Sequence, residues 1–509
     1  MSDVISTRPA APPRTPLGAV AEWLSDRSGQ ALLELLAADP TVVVTGLTLA
    51  SERVRPGDLF VAASGSHAHG ASYAEAAVRA GAVAVLTDPE GARLCVDLRV
   101  PVLVVAAPRA VVGGLAGLVY GDPASRLTLI GVTGTQGKTT ATRLAEGALL
   151  GAGVPAAVIG TVGTRINGRD VKTALTTPEA PDLHALFAVM VEHGVRVCAM
   201  EVSSHALVMG RVDGVVYDVA CFTNLGRDHL DFHGTQEAYF AAKAALFTPQ
   251  RSRRALVNAD DEHGRRLLDR AELPTASFGR GAGVDWRAVA LEPDGTGTGF
   301  SVESATGAFP ARVPLPGDYN VSNALCAIAA CGEAGLDARA VAEAMATSGG
   351  VPGRLERVDA GQEFLALVDY AHKPDAVAAA LTAVRPQTRG RLIVVLGAGG
   401  DRDAGKRPIM AATAAALADV VVITDDNPRS EEPAEIRAQL LAGVPAEATA
   451  DVHEVGDRRL AIRLAVSLAT PGDTVVVAGK GHESGQEVLG TVHPFDDRTV
   501  LLEEIEACR

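Results

Sequence analysis

The chain is poor in cysteine, in positive charge and in long apolar runs, and each shortage removes a class of function. Its six cysteines, Cys95, Cys198, Cys221, Cys326, Cys331 and Cys508, are scattered over 509 residues and form no CxxC pair. That spacing does not suit a disulfide framework and predicts reduced thiols in a cytoplasmic protein. Lysine and arginine number 46 against 61 acidic residues, a formal net charge of -15. Such a chain repels a phosphate backbone, so no nucleic-acid partner is expected. A local nest of amides with one lysine can still hold a small phosphate ligand. The longest uncharged run, Gly147 to Thr164, carries five glycines and Pro155. It reads as a helix end, a turn and a buried strand rather than a membrane span. The opening MSDVISTRPAAPPRTP has no apolar signal-peptide stretch, and its proline content predicts a flexible tail over residues 1–16.

What is present fits a globular protein, with 47% hydrophobic and 21% charged residues. A chain of this length predicts about three domains. The boundaries fall at residues 17–122, 123–352 and 353–509, with Tyr120-Gly121-Asp122-Pro123 as a turn between the first two. The first block alternates short strands (near 41–49, 58–62, 82–86 and 100–105) with Ala-rich helical stretches. The second opens on the apolar run LTLIGV and alternates strand and helix patterns, with strands near 195–201 and 215–224. The third repeats the alternation with RLIVVLG, DVVVIT and TVVVAG. This order predicts an α/β protein with mainly parallel sheets, whose ligand loops follow the strand C-termini. No repeat of solenoid period is present.

The sharpest local signal is Gly131-Val132-Thr133-Gly134-Thr135-Gln136-Gly137-Lys138-Thr139-Thr140, between a strand pattern and a helix pattern. Gly131 and Gly137 have the spacing of a nucleotide phosphate loop. Glycines let the backbone curl its amides toward phosphate oxygens, Lys138 neutralises the β/γ-phosphates, and the Thr139 hydroxyl ligates magnesium. Gly397-Ala398-Gly399-Gly400-Asp401-Arg402 is weaker, because Arg402 stands where a dinucleotide loop needs its third glycine; no NAD is predicted. Magnesium prefers oxygen ligands. Glu201, in MEVSSHAL, ends a strand at the same sheet edge, and His229, in NLGRDHLD, follows the next strand. A single Glu or His at a strand end is more often structural than catalytic; sharing an edge with the phosphate loop favours function.

Together GVTGTQGKTT, MEVSSHAL, NLGRDHLDFHG and Tyr239-Phe240-Ala241-Ala242-Lys243 resemble the Mur ligases, ATP-dependent amide-bond enzymes of peptidoglycan synthesis. Asn320-Val321-Ser322-Asn323, Pro352-Gly353-Arg354 and Asp369-Tyr370-Ala371-His372 extend the match in family order over nearly the whole chain. The resemblance implies a UDP-binding α/β domain, a central P-loop ATPase domain and a C-terminal Rossmann-like domain that binds an amino acid. It implies two magnesium ions, with Thr139 and Glu201 at one, His229 at the other, and Lys243 as a carbamate. That modification turns a cation that repels magnesium into an oxygen-bearing anion. Lys138, His229 and Lys243 are then catalytic. ATP contacts fall on Gly134 to Thr140, Asn320, Asn323, Arg354 and Asp369.

The motif Asp426-Asn427-Pro428-Arg429 resembles the diaminopimelate-recognition motif of the tripeptide-synthetase branch. Diaminopimelate carries a far-end carboxylate that lysine lacks, and Arg429 can hold it through two parallel hydrogen bonds. Arg402, Gly479 and Glu483, the last two in GKGHE, are the other implied contacts. For a UDP-muramoyl-dipeptide the resemblance implies Leu49, Ser51, Ser66, His67, Ala68, Thr176, Thr177, Ser203, Met209 and Arg211. Leu175, Met209 and His69 depart from the family's usual Asn, Gln and Asp. The implied enzyme is a cytoplasmic monomer that joins meso-diaminopimelate to the D-Glu γ-carboxylate of UDP-N-acetylmuramoyl-L-Ala-D-Glu. The roughly 120 residues before the phosphate loop, with their GDLFVA block, set it apart from folylpolyglutamate synthase.

Overall fold

The computed structural model describes residues 5–26, 32–36, 39, 41–65, 68–294 and 296–508. They form two compact units: Met1–Arg287 with Leu325–Ala344, and Ala288–Ala324 with Met345–Arg509.

Two main sheets build the first unit among the described residues. The N-terminal one orders its strands Leu32–Leu36, Val102–Val105, Ala84–Thr87, Asp58–Ala62 and Gly46–Thr48, parallel except at the first pairing. The runs VLVV, AVLT and DLFVA are buried on both faces, as uninterrupted apolar strands of a covered parallel sheet should be. Helix Pro108–Val119 shares its apolar cluster with Ala180, Ala185 and Ala188 of helix Ala180–Glu192. Glycine is required at 113, where a Cβ would sit 2.0 Å from the Asp213 carbonyl oxygen. In the second sheet, Thr128–Thr133 lies between Val197–Glu201 and Tyr217–Phe222, all parallel. Ala156–Ile159 extends it on one side, and Ser252–Asn258 and Thr275–Gly279 on the other. The pairings Glu201↔Val132 and Phe222↔Thr133 bring three strand C-termini to one edge.

A flexible tail over residues 1–16 is corrected for its described part, which is a strap on the first unit. Ile5 is buried in the central cluster. Arg8 donates from Nη1 to Asp58 Oδ1 at 2.6 Å, and the Ala10 and Ala11 amides donate to Glu192 at 3.0 and 2.9 Å. Thr15-Pro16 pairs antiparallel with Val43-Val44. Proline keeps the strap extended, but its acceptors lie far off in sequence, where a local reading does not reach. Residues 1–4 lie outside the described residues.

In the second unit, the hairpin Thr298–Ser304 and Gly307–Val313 is antiparallel. The sheet there runs Glu356–Arg357, Leu365–Asp369, Thr474–Ala478, Leu392–Leu396, Val420–Ile423 and Asp451–Glu454, parallel after the first pairing. Apolar clusters cover both faces. This is the doubly wound pattern expected for the third block. Beneath it, Arg458 meets Asp497 through two hydrogen bonds of 2.8 and 2.7 Å, and both side chains are fully buried. Asp497→Ala leaves that guanidinium uncompensated and is expected to destabilise this unit by about 3–5 kcal/mol. Calorimetry of the intact chain tests this; an unmoved lowest thermal transition overturns it.

Candidate functional site

The phosphate loop is shaped by glycine and held by the neighbouring strand end. Gly134 and Gly137 have φ of 150° and 86°. A Cβ on Gly134 would lie 1.9 Å from Thr223 Oγ1. The Thr135 amide donates to the Asn224 carbonyl and the Gln136 amide to Asn224 Oδ1, both at 2.9 Å. Thr223 Oγ1 donates to the Gln136 carbonyl at 2.6 Å, and the Gly226 amide to Thr135 Oγ1 at 2.9 Å. The loop is therefore preorganised by Thr223, Asn224 and Gly226. Helix Lys138–Gly151 begins directly after it, so amides and the positive helix end face the same space.

Around this loop gather the residues singled out in the sequence. Thr139 Oγ1 donates to Glu201 Oε1 at 2.9 Å. Buried Glu201 also accepts from the Thr161 amide at 2.7 Å and, through Oε2, from the Thr161 hydroxyl at 3.1 Å. A Cβ on Gly160 would meet Glu201 Oε1 at 2.3 Å, so glycine gives this carboxylate its room. The Lys138 and Lys243 ammoniums, 105 positions apart in the chain (243 minus 138), both donate to the Gly134 carbonyl at 2.8 Å. Lys243 is only 1% exposed and lies 4.5 Å above the Tyr239 ring centroid. Tyr239 in turn hydrogen-bonds Thr135 Oγ1 at 3.2 Å.

His229 sits 6.1 Å from the Tyr239 ring and 4.7 Å from His205, between centroids. Its backbone is left-handed, at φ 51°, and its Nε2 lies 3.1 Å from Asp228 Oδ2. Burial first, then neighbouring cations, holds His205 and His233 below the ordinary imidazole range. Burial pushes the Tyr239 phenol up.

The donor chemistry decides how far these residues suit magnesium. A threonine hydroxyl and a carboxylate at hydrogen-bond distance are two hard oxygens able to face one small cation. Among the described residues there is no group of three or more His, Cys, Asp or Glu able to hold a metal. Lys243 as an ammonium repels a divalent cation; a carbamate there would offer oxygens instead.

The candidate muramoyl-peptide contacts cluster beside Glu201. Thr177 Oγ1 donates to the Glu201 carbonyl at 2.9 Å and accepts from the Ser203 amide at 3.3 Å. Thr161 and Thr176 hydroxyls meet at 3.2 Å. Arg211 pairs with Glu179 at 2.9 Å and its Nη2 reaches Met209 Sδ at 3.5 Å. Leu49, Ser51 and Ala68 belong to the N-terminal sheet's loops. That sheet is tied to this cluster by Arg53, which donates twice to Asp182 at 2.8 and 2.6 Å. Ser66 and His67 lie outside the described residues. At the departure His69, Nδ1 accepts from the Ala71 amide at 3.1 Å, the capping role an Asp would fill. Leu175 and Met209 are exposed.

The second unit carries the remaining candidates. Asn323 Nδ2 donates to Asn320 Oδ1 at 3.1 Å, and Asn320 Nδ2 to the Pro316 carbonyl at 2.7 Å. Asp369, at a strand end, accepts from the Leu355 and Ala371 amides at 2.7 and 2.8 Å. Burial pushes its carboxyl up, against the nearby Arg354 charge. Arg354 stacks 4.6 Å over Tyr370.

The loops after Leu392–Leu396 and Val420–Ile423 are stitched together. Gly400 donates from its amide to the Asn427 carbonyl at 2.9 Å, and a Cβ there would meet the Pro428 oxygen at 1.9 Å. Gly397 and Gly400 thus serve a close backbone approach. Fully buried Arg407 clamps both loops through Glu431 at 2.8 Å and the Gly399 carbonyl at 3.1 Å. Arg429, at φ 54°, donates from Nη1 to the Gly400 carbonyl at 2.6 Å. Asn427 Nδ2 reaches Glu483 Oε2 at 2.9 Å. A Cβ on Gly479 would sit 2.6 Å from Asp426 Oδ2. Arg402, in the first of these loops, is exposed and donates to the Asp401 carbonyl at 3.4 Å.

Sequence reasoning gave no role to Thr161, Thr223, Asn224, Tyr239 or Arg407. Asn224 and Tyr239 lay inside the quoted motifs; Thr161 and Arg407 had no local signal.

Three family descriptions match: Mur ligase family, catalytic domain, over residues 43–120; Mur ligase middle domain over 132–331; and Mur ligase, glutamate ligase domain over 353–481. A Streptomyces avermitilis protein named UDP-N-acetylmuramoyl-L-alanyl-D-glutamate–2,6-diaminopimelate ligase is 51% identical over 97% of this chain and 98% of its own length. A solved structure of a ligase with the same name is 34% identical, with TM-score 0.67, covering 94% of this chain and 97% of its own. A Mycobacterium tuberculosis folylpolyglutamate synthase structure shares the fold at 19% identity and TM-score 0.59, over 73% of this chain and 92% of its own.

Proposed function

This chain belongs to the Mur ligase family, and from that premise we propose that it joins meso-2,6-diaminopimelate to the D-Glu γ-carboxylate of UDP-N-acetylmuramoyl-L-Ala-D-Glu, with ATP as co-substrate. Residues 17–122 take the UDP-sugar, 123–352 the nucleotide and 353–509 the amino acid. The enzyme works in the cytoplasm as a monomer; no helix among the described residues is long and apolar enough to cross a membrane.

A carboxylate oxygen of D-Glu attacks the γ-phosphorus of ATP and ADP leaves, giving an acyl phosphate. The neutral amine of diaminopimelate attacks that carbonyl, loses a proton, and phosphate departs as the amide forms. Two anions meet in the first step, so the demand on the protein is alignment and charge neutralisation. Amides of Gly134 to Thr140 cradle the phosphates, and Lys138 turns from the Gly134 carbonyl to the β/γ oxygens. Bound magnesium supplies further neutralisation of the phosphates. Thr139 and Glu201 would hold one ion, and His229 with carbamylated Lys243 a second. Thr176, Thr177, Ser203 and Arg211 seat the peptide acid beside this loop. Asn323 contacts the adenine with Asn320 close by, and Arg354 and Asp369 are further nucleotide contacts. Arg429 pairs with the far carboxylate of diaminopimelate, Asp426 and Glu483 accept from its ammonium, and Asn427 holds Glu483 in place.

The observation that carries the reading is the hydrogen bond from Thr139 to buried Glu201 beside a loop whose Gly134 carbonyl two lysines share. Coupled phosphate release is the test. Release is expected only when ATP, the UDP-muramoyl-dipeptide and meso-diaminopimelate are all present. Replacing diaminopimelate by L-lysine is expected to lower kcat/KM by about 10²–10³-fold, because the half-buried Arg429 guanidinium is left without the substrate's carboxylate. Equal release with L-lysine refutes the specificity.

A further inference from the structure

Lys480 has no exposed side-chain surface and stands among the residues assigned to the amino acid. Its Nζ donates to Asn427 Oδ1 at 2.9 Å, to Glu483 Oε2 at 3.3 Å and to Asp426 Oδ1 at 3.5 Å. Asn427 is thereby oriented: its Oδ1 accepts from Lys480 and from the Glu487 amide at 2.9 Å, so its Nδ2 must face Glu483. The charges nearby come mostly in pairs. Arg458 is matched by Asp497, and Arg429 lies 3.4 Å from Glu487. Within the directly bonded group of Lys480, two carboxylates, Asp426 and Glu483, stand against one ammonium, a net charge of one negative.

That remainder matters for what the site selects. One uncompensated carboxylate suits a far-end ammonium whose neighbouring carboxylate goes to Arg429. Two would attract a lone ammonium more strongly and repel that carboxylate. We propose that Lys480, by cancelling one of the paired carboxylates of Asp426 and Glu483, is a selectivity-determining residue that favours an amino acid with a zwitterionic far end over one with a lone terminal ammonium. This rests on the reading of these loops as the diaminopimelate site.

The test compares kcat/KM for meso-diaminopimelate and L-lysine in the intact wild type, in Lys480→Met, in Glu483→Gln and in the double variant. Lys480→Met is expected to lower the diaminopimelate-to-lysine ratio by about tenfold or more, with lysine use not falling in parallel. Glu483→Gln alone, which removes the opposite charge, raises the ratio. The double variant restores the net single negative charge and moves the ratio back toward wild type. A merely structural lysine predicts proportional loss with both amino acids, deepened by the second substitution; that pattern overturns the proposal. If Lys480→Met does not fold, a fall in the ratio for Glu483→Gln overturns it independently. A wild type that uses lysine as well as diaminopimelate overturns the parent reading itself; a selective wild type with unchanged selectivity in Lys480→Met overturns only the role of Lys480.

Discussion

Replacing Lys243 by alanine is expected to lower ligase turnover by about 10³-fold, the scale of removing a main electrostatic contributor. A small carboxylate such as acetate or formate in the assay is expected to restore part of it. The reason lies in where the side chain sits. It is buried, over Tyr239, and bonded to the carbonyl of the loop glycine that Lys138 also uses. Two ammoniums on one carbonyl are a poor setting for a divalent cation. Carbamylation removes one charge, adds one of opposite sign, and supplies oxygens of the kind magnesium takes. A carboxylate can replace a carbamate in the space that alanine vacates. The measurement is the coupled phosphate assay with and without added acid. Rescue by methylammonium and not by carboxylates would show that the side chain acts as a cation, and wild-type turnover in the plain variant would remove it from the mechanism.

Lys138→Met is expected to lower ATP-dependent phosphate release by about 10²–10³-fold while the fold persists. In the structure its ammonium folds back on the Gly134 and Thr135 carbonyls, at 2.8 and 3.2 Å. Those bonds are replaceable by water, so losing them costs little stability. The rate depends on the charge, because the attacking carboxylate and the γ-phosphoryl group repel each other until cations spread that charge. Methionine keeps the stem and removes the charge. Turnover and a thermal melt on the same preparation separate the two effects. A large fall in melting temperature with turnover scaled to the folded fraction would count against the assigned role.

The limits of sequence reading follow from what kind of constraint each residue meets. Gly134 and Gly137 were legible because positive φ and amide-lined turns are local demands that glycine alone meets easily. The strand runs LIVVL and VVVI were legible because a doubly covered sheet asks for unbroken apolar sequence. Arg402 was legible as a cation in the loop after LIVVL, and its side chain is exposed there. The strap over residues 5–16 was missed because Arg8 is fixed by Asp58 and the Ala10 amide by Glu192, partners no window contains.

By itself, then, the order of amino acids determined the strands, the phosphate-loop turn and the family, since these follow from backbone freedom and from periodic apolarity within short spans. Folding alone decided which charges lose their water and which meet. Lys243 reads as an ordinary solvated helix lysine, and no role attaches to Lys480, until the sheets close around them; a buried charge is worth chemistry only through neighbours brought from far along the chain.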